Sequence, residues 1–295
     1  MFASLRIAAA CAALATLTVA APVLADSVGA YHIFPTPEYR AKTGRTPHLG
    51  AGEMEYFGGP VFPNGKVVSV MWGSNVNAQT VATIPAFTAA LVNSTFVDQL
   101  SIYGTHLKGV NGHKGTNQDI GRGQYLGQVQ ITPHNTSLNL SDKDIHKELQ
   151  YQIKNGFLPP SDTDTLYMIY FPSNVSINLD GLVSCEDFGA YHFATKKKPK
   201  NSNIFYTVEP ECNAGFGYLT FAASHEFAEA TTDNIPTPGT NPKYPQAWNT
   251  SDGYEIADLC EGNDATLTAG AATYEVTEVY LNTTGACGTA NFTSP

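Results

Sequence analysis

The sequence is short of charge. Asp, Glu, Lys and Arg make up 14% of its 295 residues, where an average soluble domain has about 25%. Its surface must then be built largely from Thr, Asn, Ser, Gly and Tyr, as in many secreted proteins. Basic residues are the scarcest: 16 Lys and Arg stand against 26 Asp and Glu, a net charge of −10. That balance argues against nucleic acid or an anionic membrane surface as partner, since both require a basic face. The one basic cluster, "KKKPK" at 196–200, reads as a solvated loop. Past the N-terminus no apolar run approaches the ~20 residues that a membrane span needs. No Cys-x-x-Cys is present, which argues against a thiolate zinc site, and no Gly-x-Ser-x-Gly marks a serine-hydrolase elbow. The glycine-rich stretch "GVNGHKGTNQDIGRGQYLG" contains no Gly-x-Gly-x-x-Gly after a strand, so it is expected as surface loop.

What is present begins with "MFASLRIAAACAALATLTVAAPVLA". Arg6 precedes an alanine-rich apolar stretch that closes on Val23-Leu24-Ala25, the pattern of a secretory signal peptide cut before Asp26. Secretion is therefore expected, with a periplasmic location as the other possibility. Removing residues 1–25 leaves 295 − 25 = 270 residues, enough for one large domain with a full core. Cys11 leaves with the leader, and Cys185, Cys212, Cys260 and Cys287 remain. An even count in an exported chain suggests two disulfides. Three connectivities are open; pairing in chain order needs the least long-range geometry.

Residues 26–55 are punctuated by Pro and Gly without periodicity and are expected as an extended arm, followed by one domain over 56–295. "YFGGPVFPNGKVVSVMWGS" reads as two strands joined at Pro63-Asn64-Gly65, a hairpin signal. Apolar positions Val81, Ile84, Phe87, Leu91 and Val92 have helical spacing. A second helix through "TFVDQLSIYG" should stop at Gly104. "LSDKDIHKELQYQIKNGFLPP" is the clearest helix, capped by Ser141 with Asp144 at the capping-box position. "TLYMIYFP" reads as a buried central strand, and "NIFYTVEPEC" as another. Strands alternating with helices predict an α/β or α+β fold, a mixed sheet backed by helices.

The chemistry lies in "GYLTFAASHEFAEATTDN", residues 217–234. Zinc peptidases carry His-Glu-x-x-His, two histidines one helical turn apart. Here the second histidine is replaced by Glu229. On a helix spanning about 218–233, His225 and Glu229 project from one face and can bind one ion. Glu226, rotated by about 100°, stands where a general base beside the ion belongs. A third donor is expected from "DGYEIADLCEG", where Glu255 or Asp258 follows a Pro-rich excursion that lets the chain double back. Thermolysin-like peptidases take their third ligand from a glutamate in a comparable position. Asp233, about 12 Å along the helix from His225, is expected at the helix end and not on the ion. His192, in "FGAYHFA", is a candidate oxyanion donor. The remaining histidines, His32 among them, have no informative company.

The pieces "YFGGPVFPNGKVVSVMWG", "LYMIYFP", "GAYHFA", "SHEFAEATTD" and "YEIADLC", in that order over residues 56–260, together resemble the phosphate-induced, EXORDIUM-like family of secreted proteins. The resemblance is to its microbial branch, and places His225, Glu226, Glu229, Glu255 and Asp258 on the motif positions. It implies an extracellular, wall-associated setting more firmly than an activity. Asn234 departs from the pattern, which has proline there.

Two functions follow as expectations. One is a secreted metal-dependent hydrolase, zincin-like and most simply a zinc peptidase, acting on an extracellular protein or cell-wall substrate. Its cation would be held by His225, Glu229 and Glu255 or Asp258. The alternative is a non-catalytic extracellular domain with a structural cation. A carboxylate in place of the second imidazole weakens the ion as an acid and tilts selectivity from zinc toward calcium or manganese.

Overall fold

Seven strands build the main sheet of the structure, a computed structural model that describes residues 27–28, 31–44, 52–195, 203–237 and 242–295. The expected leader and the "KKKPK" cluster lie outside these residues. In chain order the strands are β1 (Ser27–Val28), β2 (Tyr31–Pro35), β3 (Lys66–Trp72), β4 (Gln124–Ile131), β5 (Thr165–Phe171), β6 (Phe188–Thr195) and β7 (Ile204–Pro210). Their order across the sheet is β1-β2-β6-β7-β5-β3-β4. The pairs β4/β3, β3/β5 and β5/β7 are parallel, whereas β7/β6 and β6/β2 are antiparallel. This is the mixed sheet backed by helices that the alternating elements predict.

Five helices accompany it: α1 (Pro37–Thr43), α2 (Ala78–Val92), α3 (Thr95–Leu100), α4 (Asp142–Lys154) and α5 (Phe216–Thr232). Pro85 in α2 has no N–H for the Val81 carbonyl one turn back; the Gln128 side-chain amide donates to that carbonyl instead, at 3.3 Å. Asp144 accepts the Ser141 N–H at 3.1 Å and its hydroxyl at 2.6 Å, closing the expected start of α4. β5 is buried along its whole length and lies between β7 and β3, as a continuous apolar run should. A smaller sheet of β8 (Asp264–Ala269), β9 (Ala272–Thr277) and β10 (Asn291–Ser294) packs against α5 through β9. Disulfides join Cys185 to Cys212 and Cys260 to Cys287, the pairing in chain order.

Two expectations fail. Pro63-Asn64-Gly65 does not turn a hairpin. Glu55–Tyr56 pairs with Trp248–Asn249, and β3 pairs in parallel with β4 and β5. Burial on both faces of β3 favours neighbours supplied by crossovers over a local partner. Residues 26–55 are not simply an arm on the body. β2 is an integral strand, with His32 directly opposite His192 on β6 and Ile33 opposite Tyr191.

The period-2 alternation of β2, β6 and β7 sends different chemistry to the two faces of the sheet. On one face Tyr31, Tyr191 and Tyr206 all donate to the carboxylate of Asp142, at 2.9, 2.8 and 2.5 Å. Asp142 opens α4, so these bonds clamp three adjacent strands to one helix N-terminus, where negative charge is favoured. Asp142→Asn, similar in shape but uncharged, should cost about 2 kcal/mol through three weakened charge-assisted bonds, measurable by urea unfolding. On the other face lie His32, Phe34, Ala190, His192 and Ala194. The small alanines allow α5 to approach closely.

Candidate metal centre

α5 is buried on every side, from Leu219 to Thr232. Gly215, with φ of 98°, caps its start. Gly217 is inside the helix, where a Cβ would collide with the Glu275 carboxylate. A fully buried helix must satisfy its own polar groups, and its hydroxyls do so. Ser224, Thr231 and Thr232 donate back to the carbonyls of Phe221, Phe227 and Ala228 at 2.8, 2.7 and 3.0 Å. His225, Glu226 and Glu229 are different: Nδ1 of His225 and Oε1 of Glu226 make no hydrogen bond.

Around them the fold gathers the other expected site residues. The chain leaves α5 at Asp233, whose carboxylate accepts the Ala247 N–H and the Asn249 side-chain amide, both at 2.8 Å. Asp233 is thus the helix-end residue that staples the returning chain, and it belongs to neither donor group described below. The return brings Glu255 and Asp258 against the helix. The Glu255 N–H donates to Oδ2 of Asp258 at 2.8 Å, leaving Oδ1 turned to His225 Nε2 at 3.5 Å. The Cys260–Cys287 disulfide and a buried ion pair between Arg40 of α1 and Glu261 hold this segment. From the sheet, His192 places Nδ1 at 3.1 Å from Glu226 Oε2 and 3.6 Å from Glu229 Oε2, and Nε2 at 3.5 Å from Glu255 Oε1.

Two groups of three could each hold a cation: His225, Glu229 and Asp258, and His192, Glu229 and Glu255. In each, one donor atom per residue lies within 4.8 Å of the others. Of the residues expected on one ion, the structure gathers His225, Glu229, Glu255 and Asp258 in one place and divides them between two sets. His192, expected to face an oxyanion, stands among the donors. His32 was missed altogether, although its Nδ1 lies 3.4 Å from Glu255 Oε2. Nothing local marks it, because its company comes from the register with His192. Glu209 of β7 was missed too; it is buried, and neither of its carboxylate oxygens has a hydrogen-bond partner.

None of His32, His192, His225, Glu226, Glu229, Glu255 and Asp258 is more than 3% exposed. Burial disfavours the charged forms of the acids. It raises Glu229 to about 7 and Glu209 to about 8, and lifts Glu226 and Glu255 well above the ordinary carboxylate value. Mutual repulsion among the carboxylates adds to the lift of Glu226 and Glu255. Burial opposes charge on His225, but Glu229, Asp258 and Glu226 outweigh it and hold the imidazole protonated well above its usual range. Asp258 is depressed despite burial, because His225 bonds to it. His192 is pushed down to about 3 by burial and by the neighbouring His32. Its Nε2–H points to the Asp233 carbonyl at 3.3 Å, so Nδ1 carries the lone pair. In the cation-free protein, Glu226 then holds the proton shared with that nitrogen.

Comparison with known protein families, with characterised proteins and with solved structures returns no match. Among the described residues, no single helix is long and apolar enough to cross a membrane. Two disulfides are in keeping with an oxidising compartment.

Proposed function

We propose that the protein is a secreted divalent-cation binder whose cation fastens α5 to the returning segment 254–261. The observation that carries this reading is the set of buried ionisable atoms without hydrogen bonds: Glu255 Oε1 and Oε2, Glu226 Oε1 and His225 Nδ1. Carboxylates buried together without partners cost several kcal/mol each, and a cation at their centre removes that cost. Imidazole mixed with carboxylate suits zinc or manganese, and the predominance of carboxylates also admits calcium. Burial of every donor favours a structural ion over one that meets a substrate. A surface cavity of about 270 Å³ at the ends of β3, β4 and β5, lined by Trp72, Thr132 and Asn174 among others, shares no residue with the centre. Elemental analysis of the purified mature protein beside His225→Ala tests the reading: bound cation in the wild type, lost in the variant, is the expected result. A wild type that takes up no cation after exposure to zinc, manganese and calcium would sink it.

A second reading is favoured by Glu226, which adjoins both donor groups, belongs to neither, and has a free Oε1 inside the centre. This is the zincin-like, metal-dependent hydrolase, acting on extracellular peptides or wall material. There the cation would polarise a water and Glu226 would take its proton. Glu226→Gln separates the two readings. The Gln amide can still donate to His192 Nδ1, so stability should move by less than about 1 kcal/mol and cation content should not change. Under the hydrolase reading, cleavage of a mixed peptide library, followed by mass spectrometry, should occur with wild type and disappear in the variant. No cleavage by either protein leaves the structural ion as the function of the centre.

A further inference from the structure

We infer that the centre takes two divalent cations, bridged by the carboxylate of Glu229; this rests on the cation-binding reading above and deepens it. The two oxygens of Glu229 face different histidines. Oε1 lies 2.9 Å from His225 Nε2, and Oε2 lies 3.6 Å from His192 Nδ1. Both donor groups contain Glu229 and share nothing else. Two ligands at about 2.1 Å from one ion are about 3.0–3.4 Å apart. The spacings of His225 to Glu229 and to Asp258, 2.9 and 3.5 Å, lie within about 0.1 Å of the two ends of that range.

An ion there leaves Glu255 unanswered. Glu255 is fully buried, both of its oxygens lack hydrogen bonds, and His192 and His32 flank it at 3.5 and 3.4 Å. Nothing among His225, Glu229 and Asp258 answers that unpartnered carboxylate. A second ion held by His192, Glu229 and Glu255 does, with His32 opposite His192 in the strand register as a further imidazole at its edge.

Charge gives the same count. Four carboxylates belong to the two donor groups or touch one of their members: Glu226, Glu229, Glu255 and Asp258. When they are ionised, one dication leaves a net charge of −2 in a dry interior, and two leave none. The surroundings also orient the donors as supporting contacts do around bound metals. The Glu255 N–H fixes Asp258 at 2.8 Å, and the Asp233 carbonyl takes the Nε2–H of His192 at 3.3 Å. That leaves the Nδ1 lone pair of His192 directed at Glu229 and Glu226.

The experiment uses the whole secreted chain, loaded with Mn²⁺, desalted, and read in two ways: metal per chain by elemental analysis, and the low-temperature electron paramagnetic resonance spectrum. The expected result is two equivalents with the spectrum of an exchange-coupled pair, since a carboxylate bridge couples the spins. His192→Gln and Asp258→Asn should each fall to one equivalent with an uncoupled spectrum. The wild-type spectrum decides alone if either variant fails to fold. One equivalent in the wild type, uncoupled, overturns the second ion and leaves the cation-binding reading standing. Two equivalents without coupling overturn the Glu229 bridge. No bound metal in protein shown to be folded overturns both.

Discussion

Stripped of divalent cations by a chelator, the protein should unfold about 10 °C below its cation-loaded form, and added cation should restore the difference. A ligand present at a thousand times its dissociation constant stabilises the fold by about 4 kcal/mol. For a domain of this size each kcal/mol moves the midpoint by about 2–4 °C. The effect should be large because the centre ties three parts of the fold: α5, the 254–261 return, and the β2–β6 pair. Without an ion, burial and the neighbouring carboxylates favour protonation of Glu226 and Glu255, and both are fully buried. Scanning calorimetry with chelator, and then with zinc, manganese or calcium, measures the shift and ranks the metals. Equal midpoints in protein shown by elemental analysis to have lost its metal would mean that no cation supports the fold at this centre.

The parts of this centre that the sequence revealed are those built by local geometry. His225 and Glu229 are four apart on a helix, and Glu226 adjoins them; helical spacing alone places them together. Glu255 and Asp258 were legible because the Pro-rich excursion after Asn234 signalled a return. That return proved to be fixed by Asp233, a residue recognisable in the sequence only as a helix end. His32 and Glu209 were not legible. Each is a polar residue within a short apolar strand, and its meaning depends on which strand lies beside it. Strand order is decided by non-local pairing. The same limitation explains the failed hairpin: Asn64-Gly65 satisfies the local turn chemistry, yet β3 is buried on both faces and takes parallel neighbours. The Tyr31, Tyr191 and Tyr206 hydroxyls that converge on Asp142 depend in the same way on the adjacency of β2, β6 and β7.

Between pH 6.5 and 8 the cation-free protein should lose stability as pH rises, and the cation-loaded protein should not. The sign follows from which state holds more protons. Burial keeps Glu226 and Glu255 protonated well above the ordinary carboxylate value, and raises Glu209 to about 8. In the unfolded chain these acids are already ionised throughout that window. His225 is likewise held protonated by its carboxylate neighbours above the value at which the unfolded imidazole loses its proton. The folded state therefore binds more protons, and raising the pH favours unfolding. His192 and His32 are depressed, so they act below pH 6.5, where the unfolded chain takes up protons that they refuse. Asp258 is depressed too, and its contribution is lost only as pH falls below the ordinary carboxylate range. A single proton retained by the fold across this window of 1.5 units corresponds to about 2 kcal/mol, and several groups contribute in the same direction. A bound cation must displace these protons, so its affinity rises with pH and opposes the loss. Thermal midpoints of the two forms at pH 6.5 and 8 should therefore diverge as pH rises. Parallel curves would show that the cation displaces no protons from these acids, and would place it elsewhere in the chain.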